Sequence, residues 1–215
     1  MKKSENDKQI SARTEMKERI VRTALEDFQR LGIRAVRMDD LATRMGISKR
    51  TLYEMFKDKE ELLVDCILLS QQQIQARVKE IYYQSKNVLE VILGVFLFSI
   101  ERFHATSKLF YDEIKKYPSA YNMVCARRDS DSEDKLAFFR QGVEQGFFRS
   151  DVNFAIVNEL VRQQFDLLIG SKFFSQYPFV EVYESIMFTY LRGISTERGA
   201  QELETFIKEY RNGKN

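Results

Sequence analysis

The stretch 41–57 constrains the chain most, because its residues fit two short helices joined by a tight glycine turn and little else. Leu41 and Met45 lie one helical turn apart with the small Ala42 beside them, so a first helix can press closely on a neighbour. Gly46 supplies the left-handed backbone that stops that helix, and Ile47 drops an apolar side chain into the corner. Ser48 is a good N-cap for a second helix, along which Leu52, Met55 and Phe56 fall on one side at about 100° per residue. The other side carries Arg50, Tyr53, Glu54 and Lys57. One face is core and the other a donor-rich surface, which is what a helix needs to enter a DNA major groove while fixed to a small domain. An ordinary surface helix pair uses the same turn. The difference is that small, apolar, glycine and capping residues here all fall where a helix-turn-helix needs them.

Past Lys57 the sequence reads as helix almost throughout. Only two prolines occur, Pro118 and Pro178, and no segment alternates with period two for long enough to form a sheet. Asp58 can cap a helix over about 59–79, with Glu60 and Glu61 well placed in its first turn. Residues 87–104 are apolar nearly all round, which suits a central helix of a second domain. A short helix near 109–116 stops before Pro118, and one longer helix over about 120–145 ends at Gly146. Asp151 or Asn153 can cap a helix reaching about residue 174. After Pro178, Tyr183, Ile186, Met187, Tyr190 and Leu191 make an apolar stripe, and 196–210 reads as a short amphipathic helix. No internal repeat is visible. A chain of 215 residues holds one small and one medium domain. We expect a flexible arm over 1–12, where Lys, Gln, Ser and Asn suit a mobile tail. A helix-turn-helix domain follows over 13–57, and an effector-binding and dimerisation domain over 58–215.

Charge supports that division. The net charge is only +2, but residues 1–57 carry 14 Lys and Arg against 9 Asp and Glu, a balance of +5, whereas the remainder has 20 against 23, a balance of −3. The basic excess lies with the motif, and its modest size suits a protein that reads a short duplex site as a dimer through a few phosphate contacts per subunit. The start, Met1-Lys2-Lys3-Ser4-Glu5, is charged and unlike a signal peptide. The longest apolar run, 91–100, is broken by Gly94 and Ser99 and falls far short of the roughly 20 residues that span a bilayer. A cytoplasmic protein without membrane contact is expected. Cys66 and Cys125 offer neither a disulfide framework nor a metal-ligand spacing. We expect two buried thiols, with a redox-sensing pair as the alternative. The one histidine, His104, has no second histidine or cysteine placed to share a metal or a nucleophile. No glycine-rich loop follows a strand. Neither catalysis nor a metal or cofactor is expected.

Together these features resemble the tetracycline-repressor (TetR) family of bacterial one-component regulators. The resemblance lies in the helix 19–31 followed by Gly32, in the helix-turn-helix, and in Phe56-Lys57-Asp58-Lys59-Glu60-Glu61-Leu62, an aromatic-Lys-x-Lys-Glu-x-Leu start to the next helix. It covers about the first 65 residues; the rest is similar only in length and helical character. In one departure, Val36-Arg37 stands where the family usually has a Thr or Ser cap, which leaves the cap unassigned and gives Arg37 a role on phosphate. The resemblance implies an all-α fold, with an N-terminal three-helix helix-turn-helix domain and a C-terminal helical domain for ligand and dimer. It also implies a homodimer on a palindromic duplex operator, more a repressor than an activator, released by a small-molecule effector. Two long helices would pair with their symmetry mates as a four-helix bundle, one through Ile156, Leu160, Gln164 and Leu167, the other through Tyr183, Ile186, Met187 and Tyr190.

Within each reading head, Lys49, Arg50 and Thr51 are placed for base edges, with Arg50 able to grip a guanine through two donors. Ser48, Tyr53, Lys57 and Arg37 are placed for phosphates. Seventeen Phe and ten Tyr, including the pairs Phe110-Tyr111, Phe138-Phe139, Phe147-Phe148 and Phe173-Phe174, exceed what single helix faces bury. Some would wall a cavity for a flat or lipophilic molecule: Phe96, Phe103, Phe110, Tyr111, Tyr121, Phe139 and Phe165, with Gln163 and Asp166 to orient it. Plain core packing is the alternative for each. Glu54 stands out, since a carboxylate near phosphates is repelled unless it accepts from cytosine. It keeps open a second class of function, a helical small-molecule-binding or protein-interaction dimer without a specific operator.

Overall fold

No glycine or proline interrupts residues 2–31, and in the computed structural model, which describes residues 2–129, 132–170 and 176–213, they form one helix, α1 (Lys2–Leu31). The first dozen residues thus continue α1 where their polarity suggests an arm. Adding a residue to an existing helix is far easier than nucleating one, and nothing in the sequence stops it. Gly32 ends α1 at φ +86°, its N–H donating to Phe28 O at 3.0 Å. A Cβ there would stand 2.8 Å from Leu109 Cβ, so both the turn and the close approach of the chain at Leu109 require glycine.

The remaining helices are α2 (Met38–Met45), α3 (Lys49–Met55), α4 (Lys59–Gln84), α5 (Val88–Ala105), α6 (Lys108–Ile114), α7 (Pro118–Asp129), α8 (Ser132–Glu144), α9 (Phe154–Gly170), α10 (Phe179–Ile194) and α11 (Glu197–Asn212). Among the described residues there is no strand, only a lone bridge between Phe148 and Ser195. The fold is all-α. Local chemistry sets most boundaries. Asn87 Oδ1 accepts from Glu90 N at 2.8 Å, Asn153 Oδ1 from Ile156 N at 3.2 Å and Thr196 Oγ1 from Gly199 N at 3.2 Å, each at a helix start. Gly146, at φ +78°, closes the helix before it. The helix expected over 120–145 is described as α7 up to Asp129 and α8 from Ser132, and the two positions between them lie outside the described residues.

The chain divides into two compact units, Met1–Lys79 with Glu101–Arg127, and Glu80–Ile100 with Arg128–Asn215. In the first, Ile20, Phe28, Leu41, Leu52, Phe56 and Leu62 form a core that also takes in Phe110, Ile114 and Ala120. The helix-turn-helix therefore shares its core with α6 and α7. In the second, Leu89, Phe96, Phe148, Phe188, Leu191 and Leu203 lead a core in which Phe96 stacks on Tyr183 at 5.5 Å and meets Phe188, Phe206 and Tyr210 at 5.0, 6.1 and 5.3 Å. These are units of packing.

Candidate nucleic-acid interface

The turn between α2 and α3 is built by backbone bonds. Gly46 sits at φ 67°, its N–H donating to Thr43 O at 3.1 Å, and Ile47 N donates to Ala42 O at 3.0 Å. Beneath it, Leu41, Ala42, Leu52 and Phe56 are buried against α1, which fixes the roll of α3 and hence the side it presents. Two features of this seat are not evident from sequence spacing. Arg44 closes a two-bond clamp on the buried Asp27 of α1, with Nη1–Oδ1 at 2.7 Å and Nη2 on Oδ2, and that hydrogen bonding holds the guanidinium above its ordinary pKa. Donors from α1 also reach the carbonyl ends of both motif helices, Arg19 Nη2 on Met45 O at 3.5 Å and Arg13 Nη2 on Glu54 O at 3.2 Å.

Ser48 Oγ accepts from Thr51 N at 3.0 Å and lies 2.8 Å from Thr51 Oγ1, so these two residues, expected at the DNA, also cap α3. Arg37 occupies the cap position of α2 without a side-chain cap bond, and Asp39 and Asp40 in the first turn offset that helix end. Asp58 Oδ1 accepts from Glu61 N at 2.9 Å while Glu61 Oε2 accepts from Lys57 N at 2.7 Å, which fixes the start of α4. Arg37, Ser48, Lys49, Arg50, Tyr53 and Lys57 are exposed and Thr51 half-buried, all in one small region on and around α3. Arg50 Nε donates to Glu54 Oε1 at 2.8 Å, and Lys49 Nζ to Asp39 Oδ2 at 2.5 Å. Guanidinium, ammonium and hydroxyl donors of this kind are the chemistry that base edges and phosphates accept.

The other expected residues are distributed as follows. Phe103 stacks on Tyr111 at 5.2 Å, Phe110 meets Tyr111 at 5.7 Å, and Tyr121 packs on the same core, all in the first unit. Burial pushes the Tyr111 phenol up, and Thr106 is its hydrogen-bond partner. Phe96 and Phe139 belong to the second unit, Phe139 stacking on Phe154 at 5.0 Å. Gln163 is exposed and donates to Glu159 Oε1 at 2.7 Å. The side chains of Phe165, Asp166 and Leu167 lie outside the described residues, as do Phe173 and Phe174. On α9, Ile156 and Leu160 are 56% and 47% exposed and Gln164 is exposed. On α10, Tyr183, Ile186, Met187 and Tyr190 are half-buried, with Tyr183 stacked on Phe96 and Phe179 and its hydroxyl bonded to Ser99. His104 is exposed.

Cys66 is buried, its Sγ donating to Val21 O at 3.4 Å, and burial pushes the thiol well above its ordinary range. The Cys125 side chain lies outside the described residues. In a Cys125→Ser protein, Cys66 should resist a thiol-reactive dye under native conditions and label only on unfolding, because the thiolate is the reactive form. Fast native labelling would contradict this. Among the described residues no group of three His, Cys, Asp or Glu could hold a metal ion, and no helix is long and apolar enough to cross a membrane.

Residues 20–66 match the model of the family described as bacterial regulatory proteins, tetR family. The HTH-type transcriptional repressor KstR2 of Mycobacterium tuberculosis (strain CDC 1551 / Oshkosh) is 29% identical over 140 residues, covering 63% of this chain and 70% of that one. Among solved structures, the chain is similar to the TetR family transcriptional regulator PfmR from Thermus thermophilus, with 27% identity, a TM-score of 0.53, and coverage of 81% and 97% of the two chains. It is also similar to a transcriptional regulator from Cytophaga hutchinsonii ATCC 33406, with 20% identity, a TM-score of 0.65 and coverage of 83% and 98%. The last likeness is one of fold.

Proposed function

We propose that this chain, which belongs to the tetR family of bacterial regulatory proteins, is a cytoplasmic repressor that binds an inverted repeat in duplex DNA as a homodimer and is released by a small apolar or aromatic effector. One observation carries this reading: the two faces of α3. Leu52 is completely buried while the Arg50 side chain is 88% exposed, so the helix is fixed by one side and offers donors with the other. Residues 13–57 then read DNA, and 58–215 bind effector and partner. The exposed Ile156 and Leu160 on α9 suit a surface that a second copy covers, and pairing two heads supplies the specificity that a single helix lacks.

The release step is a shift between two states. Phe103, Phe110, Tyr111 and Tyr121 share a unit with the reading head, and α4 is tied to both sides of it. Lys59 Nζ donates to Ile33 O at 3.0 Å, Glu60 Oε1 accepts from Ser119 N at 2.7 Å, and Gln71 Nε2 donates to Met123 O at 3.2 Å. An effector wedged among those rings would move α4 and with it the spacing of two heads that must match grooves about 34 Å apart. A hundredfold preference for the released state amounts to about 2.7 kcal/mol of coupling. Selection of bound duplexes from a random pool tests the reading. An enriched inverted repeat is expected; no enrichment, or a lone half-site, would contradict it.

A further inference from the structure

The charges on α3 stand at the wrong ends for helix stability. A helix favours acids near its N-terminus and bases near its C-terminus. α2 obeys, with Asp39 and Asp40 in its first turn and Arg44 in its last, and α4 opens with Glu60 and Glu61. α3 has no acid in its first turn and no base in its last. Lys49 and Arg50 open it, Glu54 comes near its end, and Arg before Glu is the weaker order for an i,i+4 pair. Both cations are nevertheless held, Arg50 Nε on Glu54 Oε1 at 2.8 Å and Lys49 Nζ on Asp39 Oδ2 at 2.5 Å. Side-chain exposures of 88% and 57% in one pair, and 64% and 37% in the other, make these weak, solvent-screened contacts that a good base partner can displace.

We propose that Glu54, supported by Asp39, sets operator specificity by occupying Arg50 and Lys49 until a matching base edge displaces it. The four charges cancel, so the middle of the reading face offers stray phosphates no net attraction, while the flanking Arg37 and Lys57 keep theirs. On a matched site Arg50 exchanges one exposed ion pair for two hydrogen bonds donated to a guanine. On other DNA the exchange returns nothing, and the Glu54 carboxylate is left beside phosphates. Discrimination is gained by weakening the wrong complex, and the carboxylate that looks misplaced on a groove-facing helix acquires a role without touching a base.

This inference rests on the proposed DNA-reading role of α3. The test compares wild type, Glu54→Gln and Asp40→Asn, the last a control for plain loss of an exposed negative charge on α2, against the selected operator and a random duplex over a range of salt. Glu54→Gln should tighten random-duplex binding about tenfold and operator binding about threefold or less, lowering the ratio between them. Its salt slope on random DNA should steepen by about 0.9 per subunit as Arg50 joins a phosphate. Asp40→Asn should move both duplexes alike. An unchanged ratio in Glu54→Gln, with the operator still preferred by wild type, overturns the inference alone. Loss of operator binding with random DNA unaffected also overturns it, because Glu54 would then be a base contact. A wild type that prefers no duplex overturns the DNA reading and this inference together.

Discussion

Arg50→Ala should cost the protein most of its preference for its operator, while weakening its hold on random DNA far less, through the Glu54 carboxylate left unpaired. A bidentate arginine on a guanine discriminates by about 1–3 kcal/mol. A dimer placing one in each half-site loses about 2–6 kcal/mol, or on the order of 30-fold to 10⁴-fold in Kd. Random duplex offers Arg50 no such partner, and Glu54 holds it at 2.8 Å in the free protein. Lys57→Ala should behave differently. Lys57 is exposed in the connection between α3 and α4, and its loss should weaken every duplex alike and reduce the salt slope by about 0.9 per subunit. Equal losses on all sequences for both variants would contradict this division of labour.

Phe56→Ala should be the most damaging change to the reading head itself. The ring is completely buried at the junction of α3 and α4, within the core that α1 closes, and the Lys17 ammonium lies 5.3 Å from its centroid. Emptying such a site costs about 3–5 kcal/mol through lost burial and the cavity left behind. For a chain of this size that lowers the thermal midpoint by roughly 6–20 °C. The transition to follow is that of the first packing unit, because the core around Phe96 and Phe188 belongs to the second and contains none of the contacts of Phe56. A drop of less than about 1 kcal/mol would mean that the site collapses onto smaller neighbours.

What was legible beforehand was what is local. The spacing of Leu41, Ala42, Gly46, Ser48 and Leu52 specifies two helices, their turn and their buried side, because helical period and caps act over four residues or fewer. The cap at Asn153 is of the same kind. What depends on the packing angle between helices was not legible. The clamp of Arg44 on Asp27 spans 17 positions and the bond from Arg13 to the Glu54 carbonyl spans 41, so neither has a sequence period. Lys49 and Asp39 are each ordinary surface residues until α2 and α3 bring them to 2.5 Å. The aromatics were less legible for a similar reason. Adjacent rings such as Phe138 and Phe139 announce burial but not what they are buried against, and the expected cavity residues divide between two separate cores. At the N-terminus, polarity argued for an arm, whereas helix continuity depends on the absence of breakers, and residues 2–31 contain none.

The decisive measurement is a titration of the wild-type protein, at physiological salt, against the enriched inverted repeat and against a random duplex of equal length. A dimeric operator reader binds as two chains per inverted repeat and prefers it about 10³-fold or more. A preference near one, or saturation by a single chain, is incompatible with that function.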